Sequence, residues 1–315
     1  MNILKSLFGN SSQKNEKEKT EEKNFDILKY DGVRAQHIGK IEYAIRCFEE
    51  AIAIKEDIET MNFLANAYIH NNQLNDAHEI LNKVCTINAE DAKNFLALAS
   101  VCFLQEDYDS MQEATQKAIA LDDNNPLSYY LSAKAYIGQN NDIMAIAMLT
   151  KAITLKEDYT EAYLLRANTL NKMKQTNDAL ADIEHILLID ADEENALLLK
   201  GEILSDTENT DAAHECFNHV LSINPFNEKA YLLGGELYVT YKELDKAIEL
   251  YNEAIEINPN FARAYHERGR IRLLNGDKDG SVEDMKKALE LAPESESKIN
   301  GEYNNYDDIT KNVPW

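Results

Sequence analysis

The sequence predicts an all-α protein in which one helical hairpin is repeated along the chain. Its composition and its internal period both support this prediction. The 315 residues include only 11 glycines and five prolines, so few residues suit the turns between strands, whereas Ala, Leu, Glu and Lys are abundant. Phe217–Gly235 and Tyr251–Gly269 have the same length, and each carries Asn-Pro, a tyrosine and a glycine in register. Such self-similarity at a fixed spacing is typical of a repeat architecture.

The period is 34 residues and predicts eight repeats that cover residues 25–295. The repeats begin at Phe25, Ile58, Ala92, Pro126, Thr160, Glu194, Glu228 and Ala262. The fourth position is large and apolar in every repeat, and the eighth is glycine or alanine, which lets a neighbouring helix approach closely. We therefore expect two helices per repeat, joined by a polar turn, with each repeat burying its apolar stripe against the next one.

Proline marks helix boundaries in this pattern. Pro225, Pro259 and Pro293 each fall where a second helix should end, and proline there helps to stop the helix because it lacks an N–H and has a fixed φ. Pro126 opens a repeat and suits the first residue of a helix.

Two repeats carry an arginine at the seventh position and an aspartate sixteen residues later. These are Arg166 with Asp182 and Arg268 with Asp284. Because buried charges are usually paired, we predict a structural ion pair between the two helices of each of these repeats. Contact of the arginines with a ligand is the alternative.

The 34-residue period, with its large fourth position and small eighth position, resembles the tetratricopeptide repeat (TPR) family over residues 25–295. The resemblance implies a right-handed α-solenoid, a superhelix of helix-turn-helix repeats, whose first helices line a concave groove. The groove of such proteins holds a peptide or a helix of a partner protein. The expected function is therefore a protein–protein interaction scaffold or adaptor, and not an enzyme.

By the same resemblance, the second, fifth, ninth and twelfth positions of the first helices face the groove. The candidate binding residues at these positions are Asn62, Asn66, Lys93, Ser100, Tyr130, Lys134, Asn168, Glu202, Glu236, Arg263, His266 and Arg270. Asn side chains can both donate to and accept from a peptide main chain, and arginines can hold a carboxylate or a phosphate. For any single residue, a solvated helix face is the alternative. No three consecutive repeats reproduce the Lys and Asn clamp with which one TPR subtype binds the acidic tails of chaperones, so that ligand is disfavoured.

Charge and cysteine usage narrow the partners and the compartment. A formal net charge of −24 disfavours nucleic acid, which is bound through a basic surface, and fits a basic or neutral partner better. The four cysteines form no C-x-x-C pair and fall in predicted helix interiors, as free thiols in a reducing compartment do. We expect a cytoplasmic protein.

No sequence motif indicates catalysis, a cofactor or a metal. The segment Asn275–Gly280 begins like a calcium loop, but Lys286 stands where the closing acid of such a loop should be. His214 and His219 lack the one-turn spacing of two ligands on one helix face. We therefore expect no catalytic residue, no cofactor and no metal ion.

The two ends of the chain allow several interpretations. Residues 1–24 are predicted to be a disordered or weakly amphipathic extension, in which residues 9–24 are the disordered part. The apolar residues at its start could anchor the protein to a membrane surface or to a partner, and a frayed terminus is the alternative. These residues are Ile3, Leu4, Leu7 and Phe8. Residues 296–315 are predicted to form a capping helix or a tail. A membrane-associated assembly factor and a regulatory subunit of an enzyme remain alternative functions, and the sequence does not predict the oligomeric state.

Overall fold

The computed structural model describes residues 3–207 and 209–293, with side chains from residue 17 onward. These residues form sixteen α-helices and no strand. The first helices of the eight hairpins are α1 Ile3–His37, α3 Ile58–His70, α5 Ala92–Leu104, α7 Pro126–Gly138, α9 Thr160–Lys172, α11 Glu194–Asp206, α13 Glu228–Thr240 and α15 Ala262–Leu274. The second helices are α2 Ile41–Ile54, α4 Leu74–Ile87, α6 Tyr108–Leu121, α8 Asp142–Leu155, α10 Thr176–Ile189, α12 Thr210–Ile223, α14 Leu244–Ile257 and α16 Lys278–Leu291.

The helix boundaries follow the sequence period. From α3 to α15, each first helix begins at the residue that the sequence predicts as the start of a repeat. Each of these first helices has 13 residues and each second helix has 14. The all-α fold of helix-turn-helix repeats is thereby confirmed.

The first helix differs from the others because α1 begins at Ile3 and not near Phe25. It continues through residues 9–24, for which the sequence predicts disorder. Glu and Lys are good helix formers, and Lys17 lies 3.8 Å from Glu21 one turn later, so this segment is helical without an apolar stripe. The side chains from residue 17 to 24 are all exposed. The side chains of the predicted membrane anchor and the C-terminal cap lie outside the described residues.

The helices fall into two compact bodies, Met1–Thr169 and Leu170–Trp315, and the boundary between them lies within α9. Within each body, successive helices pack against each other, as α1 does on α2 and α15 on α16. Successive first helices also touch: α1 contacts α3 and α5 contacts α7, while α11 contacts α13 and α13 contacts α15. We call the side of a body on which the first helices lie next to one another its first-helix face.

The turns between the two helices of a hairpin use one backbone conformation. The fifteenth position of the repeat has a positive φ in Gly39, Asn72, Glu106, Asn140, Lys174, Lys242 and Gly276. A residue in this left-handed region ends a helix and reverses the chain, which is why glycine and asparagine are favoured there.

The Asn-Pro pairs close two of the hairpins. Asn224 and Asn258 are the C-caps of α12 and α14, and a proline follows each of them. The Asn224 side-chain amide donates to the Glu194 carboxylate at 3.1 Å, and the Asn258 amide donates to Glu228 at 3.1 Å. The asparagine therefore ties the end of the second helix to the start of the first helix of the same repeat.

The residue at the eighth position of a repeat faces the residue at the twenty-fourth position across the hairpin, and the sizes of the two residues compensate each other. Glycine stands opposite an aromatic ring in the pairs Gly32–Phe48, Gly201–Phe217 and Gly235–Tyr251. Alanine stands at the eighth position where the other residue is smaller, in Ala65–Leu81, Ala99–Thr115 and Ala133–Leu149. A Cβ added at Gly201 would lie 2.3 Å from Cε1 of the buried Phe217 ring. The last repeat combines Gly269 with Met285.

Candidate functional site

All twelve predicted groove residues lie on first helices and keep accessible side chains. Four of them are exposed: Asn66, Lys93, Ser100 and Asn168. The other eight are partly buried: Asn62, Tyr130, Lys134, Glu202, Glu236, Arg263, His266 and Arg270. Because none of them is part of the buried core, each is accessible to a ligand on the first-helix face.

In the N-terminal body, the structure brings Tyr130 and Lys134 together with two aromatic residues. The Lys134 Nζ atom lies 3.6 Å from the centre of the Phe103 ring and 5.9 Å from the centre of the Tyr130 ring. The Tyr130 ring centre lies 5.2 Å from that of Tyr159. Phe103 is on α5, Tyr130 and Lys134 are on α7, and Tyr159 directly precedes α9. We call these four residues the aromatic–lysine surface, and it extends from α5 across α7 to the start of α9.

Burial changes the protonation equilibria of this surface. It lowers the pKa of Lys134, because the ammonium has lost part of its hydration. Burial, together with the negative charge of Glu161, raises the pKa of Tyr130. Burial and the neighbouring Tyr130 and Glu161 raise the pKa of Tyr159 to about 12. The two phenols are therefore neutral at pH 7 and can donate hydrogen bonds.

The Lys134 ammonium has no carboxylate partner among the residues that the structure describes. Its positive charge rests instead on the faces of the Phe103 and Tyr130 rings, an attraction of about 0.5–2 kcal/mol in proteins. A carboxylate or a carbonyl oxygen from a ligand would replace the water that the ammonium has lost. The arrangement is thus suited to accept one such group beside aromatic rings.

Phe103 and Tyr159 were not among the binding residues that we predicted from the sequence. Phe103 occupies the twelfth position of the third repeat, which the TPR resemblance already places on the groove, so its position was a usable signal. Tyr159 is the last residue of the fourth repeat and precedes the helix to which the groove positions belong. Only the packing of its ring on Tyr130 shows that it joins this face.

The other predicted groove residues of this body are less closely associated. Within the described part of the chain, the side chains of Asn62, Asn66 and Lys93 form no hydrogen bond or ion pair. Ser100 Oγ donates to the Leu96 carbonyl at 2.9 Å, so this hydroxyl is bonded to its own helix. Asn168 Nδ2 likewise donates to the Leu164 carbonyl of its own helix, at 3.0 Å.

In the C-terminal body, the first-helix face carries acidic residues and then basic ones. Glu202 on α11 forms an ion pair with Lys229 on α13, at 2.8 Å. Glu236, also on α13, is partly buried on this face. On α15, both His266 and Arg270 contact the Glu267 carboxylate, which the sequence analysis did not single out.

The structure brings Arg268 and Asp284 into contact between α15 and α16. Arg268 donates from Nε at 2.9 Å and from a terminal nitrogen at 2.6 Å, and the Asp284 side chain is only 3% exposed. Arg272, which the sequence did not indicate, adds a third hydrogen bond to Asp284 at 2.9 Å. In the other repeat, Arg166 donates to Thr150 at 2.9 Å. Since Arg166 and Asp182 belong to different bodies, their pairing stays a prediction.

A cavity of about 680 Å³ lies beside α15 and α16. Its lining includes Arg268, Arg272 and Asp284, which already bind one another and therefore hold the hairpin together. Across residues 3–207 and 209–293, no three His, Cys, Asp or Glu side chains come close enough together to hold a metal ion.

Among the helices of the described residues, none combines the length and the apolar character required to cross a membrane.

Comparison with known proteins identifies the repeats. A tetratricopeptide repeat model matches residues 127–159, 194–227 and 262–295, and a second TPR model matches residues 235–276. These matches show that the chain contains tetratricopeptide repeats. No curated protein has a significantly similar sequence.

Several solved structures share this fold. A tetratricopeptide repeat protein from Parabacteroides merdae is 17% identical with a TM-score of 0.60, over 81% of this chain and 96% of that one. PilF from Pseudomonas aeruginosa is 15% identical with a TM-score of 0.55, over 69% of this chain and 99% of its own. The structure of Cut9–Hcn1 from the APC/C is 14% identical with a TM-score of 0.53, over 80% of this chain and 50% of that one. At these identities the likeness concerns the fold.

Proposed function

We propose that this protein is a non-enzymatic interaction protein that binds a peptide segment of a partner protein at the aromatic–lysine surface. TPR repeats typically serve as protein-interaction scaffolds, which supports the general class. The observation that carries the specific proposal is the Lys134 ammonium, which lies over Phe103 without a carboxylate partner among the described residues. This cation lies with the Phe103 and Tyr130 rings on one accessible face formed by α5 and α7, and the Tyr159 ring, which is only 9% exposed, packs against Tyr130.

The chemistry of the surface indicates which features the peptide should have. Lys134 would donate hydrogen bonds to a carboxylate or a main-chain carbonyl, and the rings of Phe103 and Tyr130 would bury a neighbouring apolar side chain. The amides of Asn62 and Asn66, on the adjacent α3, can donate to and accept from an extended main chain. Because these groups are on packed helices, little conformational freedom of the protein is lost on binding.

The net charge supports a partner that is neutral or basic as a whole. With −24 on the chain, long-range attraction favours positively charged proteins, whereas the contact with Lys134 needs only one local acceptor. Nucleic acid is disfavoured by the same charge.

The free, buried state of the cysteines fits a reducing compartment, the cytoplasm. Cys47, Cys85, Cys102 and Cys216 are free and buried. Burial raises the pKa of the Cys85 and Cys102 thiols to about 11, so these groups are unreactive at neutral pH.

A peptide-binding experiment tests the proposal. Peptides are selected from a displayed random library on the full-length protein, and their affinities are then measured for the wild type and for Lys134→Met. Methionine keeps the apolar stem over the Phe103 ring and removes the ammonium. Because a hydrogen bond to a charged group contributes about 1.5–3 kcal/mol, we expect Lys134→Met to weaken binding by roughly tenfold or more.

Lys151→Ala is the matched control, since it removes the same charge from the exposed surface of the second helix α8. It should leave the peptide affinity unchanged. Peptides that bind Lys134→Met and Tyr130→Ala as tightly as they bind the wild type would show that the partner uses a different surface.

A further inference from the structure

The last repeat has a largely buried carboxylate where the other repeats have an apolar or aromatic side chain. The sixth position of the first helix is apolar or aromatic in seven repeats: Tyr30, Phe63, Ala97, Leu131, Leu165, Leu199 and Leu233. In the eighth repeat it is Glu267, whose side chain is only 16% exposed. Burial of a carboxylate costs free energy unless partners compensate for the lost hydration. The hairpins of the other seven repeats form without a carboxylate at this position.

Each carboxylate oxygen of Glu267 contacts one residue of the first-helix face. Its Oε1 atom lies 3.2 Å from Nδ1 of His266, and its Oε2 atom accepts a hydrogen bond from Nε of Arg270 at 3.0 Å. Burial raises the pKa of Glu267, but the hydrogen bond from His266 and the charge of Arg270 together outweigh it, so the pKa lies below its ordinary value. Glu267 is therefore ionised and fixes the orientation of both neighbours.

Arg263 lies on the same stripe of α15. Residues 263, 266 and 270 are spaced by three and four, so their side chains share one side of the helix. Arg263 is partly buried and forms no hydrogen bond or ion pair with any residue that the structure describes. Four of the seven arginines in the chain belong to this one helix of 13 residues, although the chain as a whole is strongly acidic.

We propose that Arg263, His266 and Arg270 form a binding site for an oxyanion, and that Glu267 is the positioning residue that orients His266 and Arg270. Planar guanidinium groups bind the oxygens of a phosphate or a carboxylate through paired hydrogen bonds. This inference goes beyond peptide binding at the aromatic–lysine surface, because it concerns other residues, in the C-terminal body, and a different ligand chemistry.

Between the two oxyanions, we expect a phosphate group to bind more tightly than a carboxylate. A phosphate monoester carries about −1.5 to −2 charges at pH 7, whereas a carboxylate carries one. The charges of Arg263 and Arg270 together outweigh the single charge of Glu267 and match the more highly charged group.

Arginine Nε–Hε NMR signals of the full-length protein give a direct test, because only seven arginines contribute to the spectrum. The protein is titrated with inorganic phosphate and, separately, with acetate. Saturable shifts of the Arg263 and Arg270 signals are expected, with phosphate acting at a lower concentration than acetate. The signals of Arg34 and Arg46, in the N-terminal body, serve as internal references. A stronger response to acetate would support the site and assign it to carboxylates, whereas no saturable shift with either anion would overturn the proposal.

Substitutions distinguish the residues that bind the anion from the residue that orients them. Arg263→Ala should weaken phosphate binding by roughly tenfold, the effect of losing one hydrogen bond to a charged group. Lys278→Ala removes the same charge from an exposed position on α16 and should have no effect. An unchanged affinity in Arg263→Ala would contradict the site.

Glu267→Leu tests the positioning role, since leucine restores the residue type found at this position in other repeats. A carboxylate without a positioning role would only repel the anion, and its removal would tighten binding. We expect the opposite, weaker phosphate binding and a changed Arg270 signal. If Glu267→Leu fails to fold, Glu267→Gln carries the same test. Tighter binding in the variant that folds would overturn the positioning role. No peptide is needed in these measurements, so their failure and that of the proposed peptide site are distinguishable.

Discussion

Replacement of Asp284 by alanine is expected to destabilise the last hairpin by about 3 kcal/mol or more, because it leaves the charge of Arg268 buried without its partner. The Arg268 side chain is 12% exposed and donates two hydrogen bonds to Asp284. Arg272 loses its shortest contact as well. The loss should be strongest in α15 and α16, since the stability of a repeat array depends on each repeat and its nearest neighbours. Urea unfolding followed by circular dichroism, combined with hydrogen exchange of these two helices, measures the effect.

Two variants check the reason for this loss. Glu283→Ala removes an exposed acid next to Asp284 on the same helix and should change stability little. The double variant Arg268→Leu, Asp284→Ile installs the apolar pair that the second repeat has at these positions, Leu64 and Ile80. Because an apolar pair of similar volume often replaces a buried ion pair without loss, the double variant should regain most of the stability. A full loss in Glu283→Ala, or no loss in Asp284→Ala, would contradict a buried ion pair.

The second large effect is expected at Gly201, where alanine should destabilise the protein although alanine is the better helix former. The added methyl group would lie 2.3 Å from the Phe217 ring, which is only 2% exposed and closely packed. Forcing extra atoms into such a core typically costs 1–3 kcal/mol, whereas the gain in helix propensity is about 1 kcal/mol. We therefore expect a net loss of up to about 2 kcal/mol in urea unfolding.

A double-mutant cycle with Phe217→Leu measures the fit of the two positions. The pair of alanine and leucine is the one that the second and fourth repeats already have, so the two substitutions together should be less harmful than their sum. We expect a favourable coupling energy of about 1–3 kcal/mol, as is found for residues in contact. If Gly201→Ala were as stable as the wild type, or if the cycle showed no coupling, the size compensation between the two positions would be wrong.

The repeats could be predicted from the sequence because the same packing constraint acts on all eight of them. Small residues at the eighth position and large ones at the fourth are needed in every hairpin, and their recurrence predicts the starts of α3 to α15. The predicted start of α1 was wrong because residues 9–24 carry no stripe of apolar residues. Their helix rests on the propensity of Glu and Lys, which a search for apolar periodicity does not detect.

The candidate sites were less predictable, because they depend on departures from the repeat. In the sequence, Glu267 is one of many acidic residues. Only the low exposure of its side chain and its contacts with His266 and Arg270 distinguish it from the others. Arg272 follows Arg268 by one turn and reaches Asp284 across the hairpin, at a distance that the sequence does not specify. Lys134 was predicted from its position, but the missing acid partner and the Phe103 ring are properties of the packed structure.

Site-specific photo-crosslinking tests the central claim, that a partner peptide binds the first-helix face of the N-terminal body. A benzophenone amino acid is placed at Ser100, which is exposed on the first helix α5, or at Gln116, which is exposed on the second helix α6. Each protein is illuminated with a peptide selected for binding, and the crosslinked residues are identified by mass spectrometry. We predict that the peptide is captured from position 100 and not from position 116. Equal or preferential capture from position 116 would contradict the account.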